Sequence, residues 1–181
     1  MIIVSGQPRS GTSLMMKVLW VSGFPIFSSE TVSFEHPLTP RLELYNDWVL
    51  DLDPNIAIKV VFPHVLHLPI KGKYKVIWMH RNSKEQAKSQ ANFSGRPKAW
   101  IPGQVKIIKK VEKVMPDGLI RMGCELIIVR FETLVRNPEL LKSILEDFVE
   151  RSLNFDPVIN RNPNWSKNRP VGKLEFAPQG N

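Results

Sequence analysis

The first thirteen residues, Met1-Ile2-Ile3-Val4-Ser5-Gly6-Gln7-Pro8-Arg9-Ser10-Gly11-Thr12-Ser13, set an apolar run directly before a glycine-bearing loop and two hydroxyl residues. This order predicts a buried strand, a tight loop and a helix start. In that setting backbone N–H groups and the positive end of the helix hold phosphate or sulfonate oxygens. Residues 11–22 continue as a helix with Leu14, Val18 and Val21 on its apolar side, and Gly23-Phe24-Pro25 stops it. The spacing Gly6-x4-Gly11 is that of a nucleoside-triphosphate P-loop, yet Thr12 stands where the lysine of such a loop belongs. Arg9 supplies positive charge from inside the loop instead, and a planar guanidinium suits a pair of oxygens. No core strand ends in an Asp placed to hold magnesium, so a metal-free site is expected. Asp51 and Asp53 come nearest and read as a solvated helix end.

Outward from this opening, short apolar runs alternate with amphipathic stretches, the pattern of a parallel sheet covered by helices. Ile56-Ala57-Ile58-Lys59-Val60-Val61-Phe62 and Tyr74-Lys75-Val76-Ile77-Trp78-Met79-His80 read as buried strands, bounded by Pro63 and Arg81. Asn82 opens a helix running to about Asn92, with Glu85 placed to return a capping-box bond. A fourth run, Glu125-Leu126-Ile127-Ile128-Val129-Arg130-Phe131, precedes a helix capped by Asn137. Pro138 stands in the first turn of that helix, and Leu140, Leu141, Ile144, Leu145 and Phe148 form its buried stripe. A further helix is expected near residues 40–52, and the lysines of residues 105–115 follow the solvated face of another. Residues 151–181 hold four prolines and little periodicity, and read as a C-terminal arm or lid on a single domain, 1–181. The predicted fold class is α/β, three layers α/β/α around a central, mainly parallel sheet.

At 181 residues, 43% apolar and 23% charged, the chain can bury a packed core, and the composition excludes disordered and fibrous classes. Its 25 Lys and Arg against 17 Asp and Glu give a net +8, which suggests a polyanionic partner: nucleic acid, a membrane surface, an acidic substrate or a phosphate-rich cofactor. The excess is local, since residues 71–113 hold 12 basic and 2 acidic groups. No zinc pattern, Arg-Gly-Gly tract or RNP-like aromatic motif points to nucleic acid. One cysteine, Cys124, cannot close an intramolecular disulfide, which suits a reducing compartment. No apolar stretch reaches the about 18 residues of a membrane span, and the loop follows the N-terminus too closely for a signal peptide. A cytoplasmic protein without membrane contact is the expectation.

With Pro8-Arg9-Ser10-Gly11-Thr12-Ser13 in place, the chain resembles sulfotransferases that use 3′-phosphoadenosine 5′-phosphosulfate (PAPS), whose 5′-phosphosulfate loop reads Pro-(Lys/Arg)-Ser-Gly-Thr-(Thr/Ser). In that family an Arg at a strand end and a Ser eight residues on grip the cofactor's 3′-phosphate, and here Arg81 and Ser89 have that spacing. On a helix Ser89 falls two turns below Asn82, facing the crevice at the strand end. A third match is Phe131-Glu132-Thr133-Leu134-Val135-Arg136-Asn137-Pro138, similar to the family's Tyr-Glu-Asp-Leu-x-x-x-Pro with Phe131 in place of the tyrosine. Together the matches cover residues 1–31, 56–93 and 125–149.

The resemblance implies a P-loop NTPase-like sulfotransferase fold, PAPS as cofactor, adenosine 3′,5′-bisphosphate as product and no metal. A sulfuryl group would pass in line to a hydroxyl or amine on a small-molecule, saccharide or peptide acceptor. Pro8, Arg9, Ser10, Gly11, Thr12, Ser13, Arg81 and Ser89 would bind the cofactor; Arg9, Lys59 and Glu30 would be catalytic. Lys59 matches a family lysine that approaches the sulfuryl oxygens. The cytosolic branch takes its base from a His two residues later, where Val61 stands here. Ser28-Ser29-Glu30-Thr31 instead resembles the Glu-Glu-Thr of the tyrosylprotein branch, which makes Glu30 the first choice of base, with Glu35, His36, His64 and His67 behind it. The family's Arg-Lys-Gly closing loop has no counterpart around Lys167, Arg169 and Lys173. Two other classes stay open on the residues alone: a P-loop kinase or nucleotide hydrolase, which would need magnesium and the missing lysine, and a non-catalytic protein binding an anionic nucleotide.

Overall fold

Ile2, Ile3 and Val4 are all buried, on both sides of the backbone, as a strand in the middle of a covered parallel sheet requires. In the computed structural model, which describes residues 1–28, 34–36, 38–39, 42, 47–69 and 72–159, this strand is β1 (Ile2–Gly6). Helix α1 (Thr12–Val21) follows it. Strands β2 (Ile26–Phe27), β3 (Ala57–Lys59), β4 (Lys75–His80) and β5 (Glu125–Arg130) complete a sheet in the order β2-β3-β1-β4-β5, every pair parallel. Val4 lies beside Lys59 on one side and Ile77 on the other. The chain after β3 stays alongside β1, Val60 N–H donating to the Val4 carbonyl and Phe62 N–H to that of Gly6, both at 3.0 Å.

Helices cover both faces. α1 lays Met15, Met16 and Leu19 on Val4, Ala57, Ile77 and Met79. Helices α4 (Phe131–Arg136), α5 (Glu139–Val149) and α6 (Asp156–Ile159) join that cluster through Leu134, Leu145, Val149 and Val158. The opposite face packs against α3 (Ile101–Arg121), whose Val111, Met115 and Leu119 meet Ile3, Val76 and Trp78. Helix α2 (Ser83–Ser94) precedes α3 and packs on it. The connection after β1 thus covers one face and α3, after β4, the other. The crevice between two such strands, beyond their carboxyl ends, is where open α/β sheets bind ligands.

Three expectations change. α5 buries Leu145 and Val149, while Leu140 and Ile144 are 68% and 57% exposed. Leu145 and Val149 share their cluster with Val129 of β5, the edge strand, and the outer half of the stripe stays exposed. In residues 151–159 Leu153, Phe155 and Val158 pack into the α1 cluster, so the core runs on to Val158; residues 160–181, the rest of the expected arm, lie outside the described residues. Where a helix was expected near residues 40–52, the described residues contain a 3-10 turn at Asp47–Val49. Among the described residues no helix is long and apolar enough to cross a membrane.

Candidate anion site at the ends of the central strands

The loop between β1 and α1 keeps its shape through residues that avoid steric conflict. Gly6 has φ +146, and a Cβ there would stand 2.5 Å from Ser10 Oγ and 2.6 Å from the Met79 carbonyl. Gly11, at φ +107, is pressed by Phe131, whose ring would meet a Cβ at 2.5 Å. Arg9 takes the left-handed region without being glycine, at φ +67. Such a conformation costs an L-residue about 1–2 kcal/mol and is kept where its surroundings impose it.

Those surroundings are side chains that take the loop's carbonyls. Gln86 Nε2 and Gln90 Nε2 donate to the Pro8 carbonyl at 2.9 and 2.6 Å, and Arg81 Nη1 donates to that of Arg9 at 3.0 Å. Gln90 is fixed in turn by Gln104, at 2.7 Å, and Gln7 Nε2 donates to the Ile108 carbonyl at 3.0 Å. This explains why α2 buries Gln86 and Gln90 beside Ala87 and Ala91, an interior that would otherwise be costly. With these carbonyls engaged, the loop presents amides instead: α1 begins at Gly11 with no side-chain cap. Its orphan N–H groups and positive dipole end stand at the crevice. Behind the loop, Glu112 accepts from Trp78 Nε1 at 3.1 Å, and burial pushes its carboxyl above the usual range against Trp78 and His80.

Two arginines from distant parts of the chain meet over this loop. Arg9 Nε donates to Ser89 Oγ at 3.2 Å, and its guanidinium lies 5.0 Å from the Phe93 ring centroid. Among the described residues the two outer nitrogens of Arg9 make no hydrogen bond or ion pair. The Arg81 guanidinium lies 4.6 Å from the centroid of Phe131, the same ring that presses on Gly11. At the end of β3, buried Lys59 donates to Ser13 Oγ at 3.1 Å and to Glu35 Oε1 at 2.8 Å. Burial pushes its ammonium below the usual lysine range; Glu35 opposes this and the nearby Arg9 charge adds to it.

Most of the residues singled out from the sequence gather at this loop. Pro8, Arg9, Ser10, Gly11, Thr12 and Ser13 form the loop and helix start, and Arg81, Ser89 and Lys59 converge on it. Ser10 Oγ is buried with no partner among the described residues. Glu30 lies outside the described residues, as do Lys167, Arg169 and Lys173. Of the reserve bases, Glu35 sits in the site through Lys59. His36 stacks on Phe27 with centroids 4.1 Å apart and accepts from the Leu38 N–H, and burial pushes its imidazole below the ordinary range. Asp53 is a turn residue, accepting from Asn55 N–H at 2.7 Å. The sequence reading missed Gln86, Gln90 and Phe93. Asn82 caps α2 as expected, accepting from the Lys84 and Glu85 N–H groups, but the reciprocal bond was misassigned: Glu85 pairs with Lys88, and the acceptor for the Asn82 N–H is Glu132, at 2.9 Å.

The donor set consists of two guanidiniums, an ammonium, hydroxyls and helix-start amides. That chemistry fits paired phosphate and sulfonate oxygens. No protein-family model matches the chain, and a comparison with curated proteins returns no match.

Proposed function

We propose that the protein is a PAPS-dependent sulfotransferase with a P-loop sulfotransferase fold, moving a sulfuryl group to an acceptor hydroxyl or amine. The observation that carries this reading is Arg9. Its guanidinium is held at Nε by Ser89 and from below by Phe93, and its outer nitrogens are turned to no protein acceptor among the described residues, beside a helix start with no side-chain cap. The placement of Arg81 and Ser89 against the loop adds a second cationic anchor within reach of the first.

PAPS, when bound, supplies a sulfuryl group carried on a phosphate leaving group. Arg9 and the amides at Gly11–Ser13 would hold that phosphate and neutralise negative charge developing on it. Thr12 and Ser13 would add hydroxyl donors, and Arg81 with Ser89 would hold the second phosphate. Lys59, held by Glu35 and Ser13, would supply positive charge to the sulfuryl oxygens. The acceptor's proton would go to Glu30, the base that the resemblance implies, while Glu35 Oε1 pairs with Lys59. The acceptor class is a small molecule, saccharide or peptide.

Calorimetry with adenosine 3′,5′-bisphosphate in EDTA, beside ATP with magnesium, tests the reading. Micromolar binding of the bisphosphate without metal is expected; heat from magnesium ATP alone would assign the site to a P-loop kinase or hydrolase, and the bisphosphate bound with no turnover of any acceptor would leave a nucleotide-binding protein. In the same assay Glu30→Gln lowers transfer at least about a hundredfold with affinity intact. An unchanged Glu30→Gln rate beside a slow Glu35→Gln would move the base to Glu35.

A further inference from the structure

We propose that Ser89 is a positioning residue for Arg9, so that the two phosphate anchors of the site act as one unit. This rests on the reading above for its choice of ligands, and on geometry alone for the contact itself. Arg9 is gripped from three directions by the second anchor and its helix. Arg81 Nη1 holds its carbonyl at 3.0 Å, Ser89 Oγ accepts from its Nε at 3.2 Å, and Phe93, one helical turn beyond Ser89, lies under its guanidinium. The same helix holds the preceding residue's carbonyl through Gln86 and Gln90.

A serine hydroxyl that accepts from a guanidinium still has its own proton to donate. Ser89 therefore extends the row of donors that begins at Arg9, and an anion bridging the two anchors is met by a chain of hydrogen bonds rather than by isolated groups. Arginine is long and loses much rotamer freedom when ordered, so a side chain already held at Nε binds its anion without that ordering step. Removing the Ser89 hydroxyl then weakens every ligand that uses Arg9, including those with nothing to offer a second anchor. A serine that served only the second phosphate would have no such effect.

The test has two arms. In calorimetry, Ser89→Ala is expected to weaken both adenosine 3′,5′-bisphosphate and 5′-AMP by about tenfold, the worth of a hydrogen bond to a charged group, with Ser89→Thr restoring both. A loss confined to the bisphosphate, with 5′-AMP unaffected, would overturn the proposal. Without any ligand, the Arg9 Nε–Hε resonance in ¹⁵N-labelled protein, assigned through Arg9→Lys, is expected to exchange slowly with water and to carry a ring-current shift from Phe93. Both signatures should disappear in Ser89→Ala, and a resonance that Ser89→Ala leaves unchanged would overturn the proposal even if affinities fell. Should neither nucleotide bind the unaltered protein while the resonance behaves as expected, the sulfotransferase reading fails and the positioning of Arg9 stands.

Discussion

Arg9 pays for its place in the loop with a left-handed backbone, and that cost can be separated from what its side chain does. Arg9→Ala and Arg9→Gly both lose the contacts to Ser89 and Phe93, but glycine occupies φ +67 without a Cβ conflict. Arg9→Gly is therefore expected to be about 1 kcal/mol more stable to urea than Arg9→Ala, while both bind the bisphosphate at least about tenfold more weakly than the parent chain. Equal stabilities would show that the loop relaxes and holds no strain at this residue. Arg9 was legible in the sequence because a guanidinium inside a glycine loop has few other uses, and Lys59 because a charge in an apolar run needs a reason. Phe93 was not legible: a single aromatic on a polar helix carries no signal until the Arg9 side chain is placed above it. Glu35 was one reserve base among several, because its partner Lys59 is 24 residues away and irregular chain offers no periodicity to carry it there.

At the scale of elements, β1, β3, β4 and β5 were legible as apolar runs, whereas the two-residue β2 carries too short a run to be read, and the glycine loop marked where the first helix begins. The start of α2 shows what one-dimensional reading loses. Asn82 was recognised as a cap, and its side chain does accept from Lys84 and Glu85 N–H; the reciprocal bond comes from Glu132, in the first turn of α4, 50 residues on. Two helices that begin at neighbouring strand ends thus share one cap, and Arg81 is the residue immediately before it. Glu132→Ala leaves the Asn82 N–H without its acceptor and is expected to cost about 1 kcal/mol in urea unfolding, while Glu132→Gln, which keeps an acceptor oxygen, stays near the parent value. Loss of stability in both variants alike would mean that Glu132 acts by charge on Arg81 and not as a cap. Gln86 and Gln90 escaped for a related reason. Buried glutamines contradict an amphipathic pattern, and only the carbonyls of the loop explain them.

For the molecule as a whole, the net +10 of residues 71–113 includes two populations with different consequences. Arg81 belongs to the crevice. Lys106, Lys109, Lys110 and Lys113 lie on the exposed face of α3, opposite Ile108, Val111 and Met115, and make no ion pair among the described residues. Like charges three and four residues apart on a helix repel by about 0.2–0.5 kcal/mol a pair, so this stripe opposes the helix that carries it. Lys109→Glu converts repulsion with Lys106 and Lys113 into attraction, with the glutamate N-terminal to Lys113 as the favourable order requires, a gain only partly offset by the new like-charge neighbour Glu112 three residues on. It is expected to raise stability by about 1 kcal/mol at low salt and by less at 0.5 M, where the Debye length has shrunk to a few ångströms. The crevice responds in the opposite sense, since salt weakens an anion held by Arg9 and Arg81. If the stripe is only a solvated face, Lys109→Glu leaves the affinity for adenosine 3′,5′-bisphosphate within about twofold at physiological salt. A loss comparable to that of Arg9→Ala would instead make the α3 lysines part of the surface that draws the ligand in, and would tie the basic excess of the chain to the same anion that its first loop is shaped to hold.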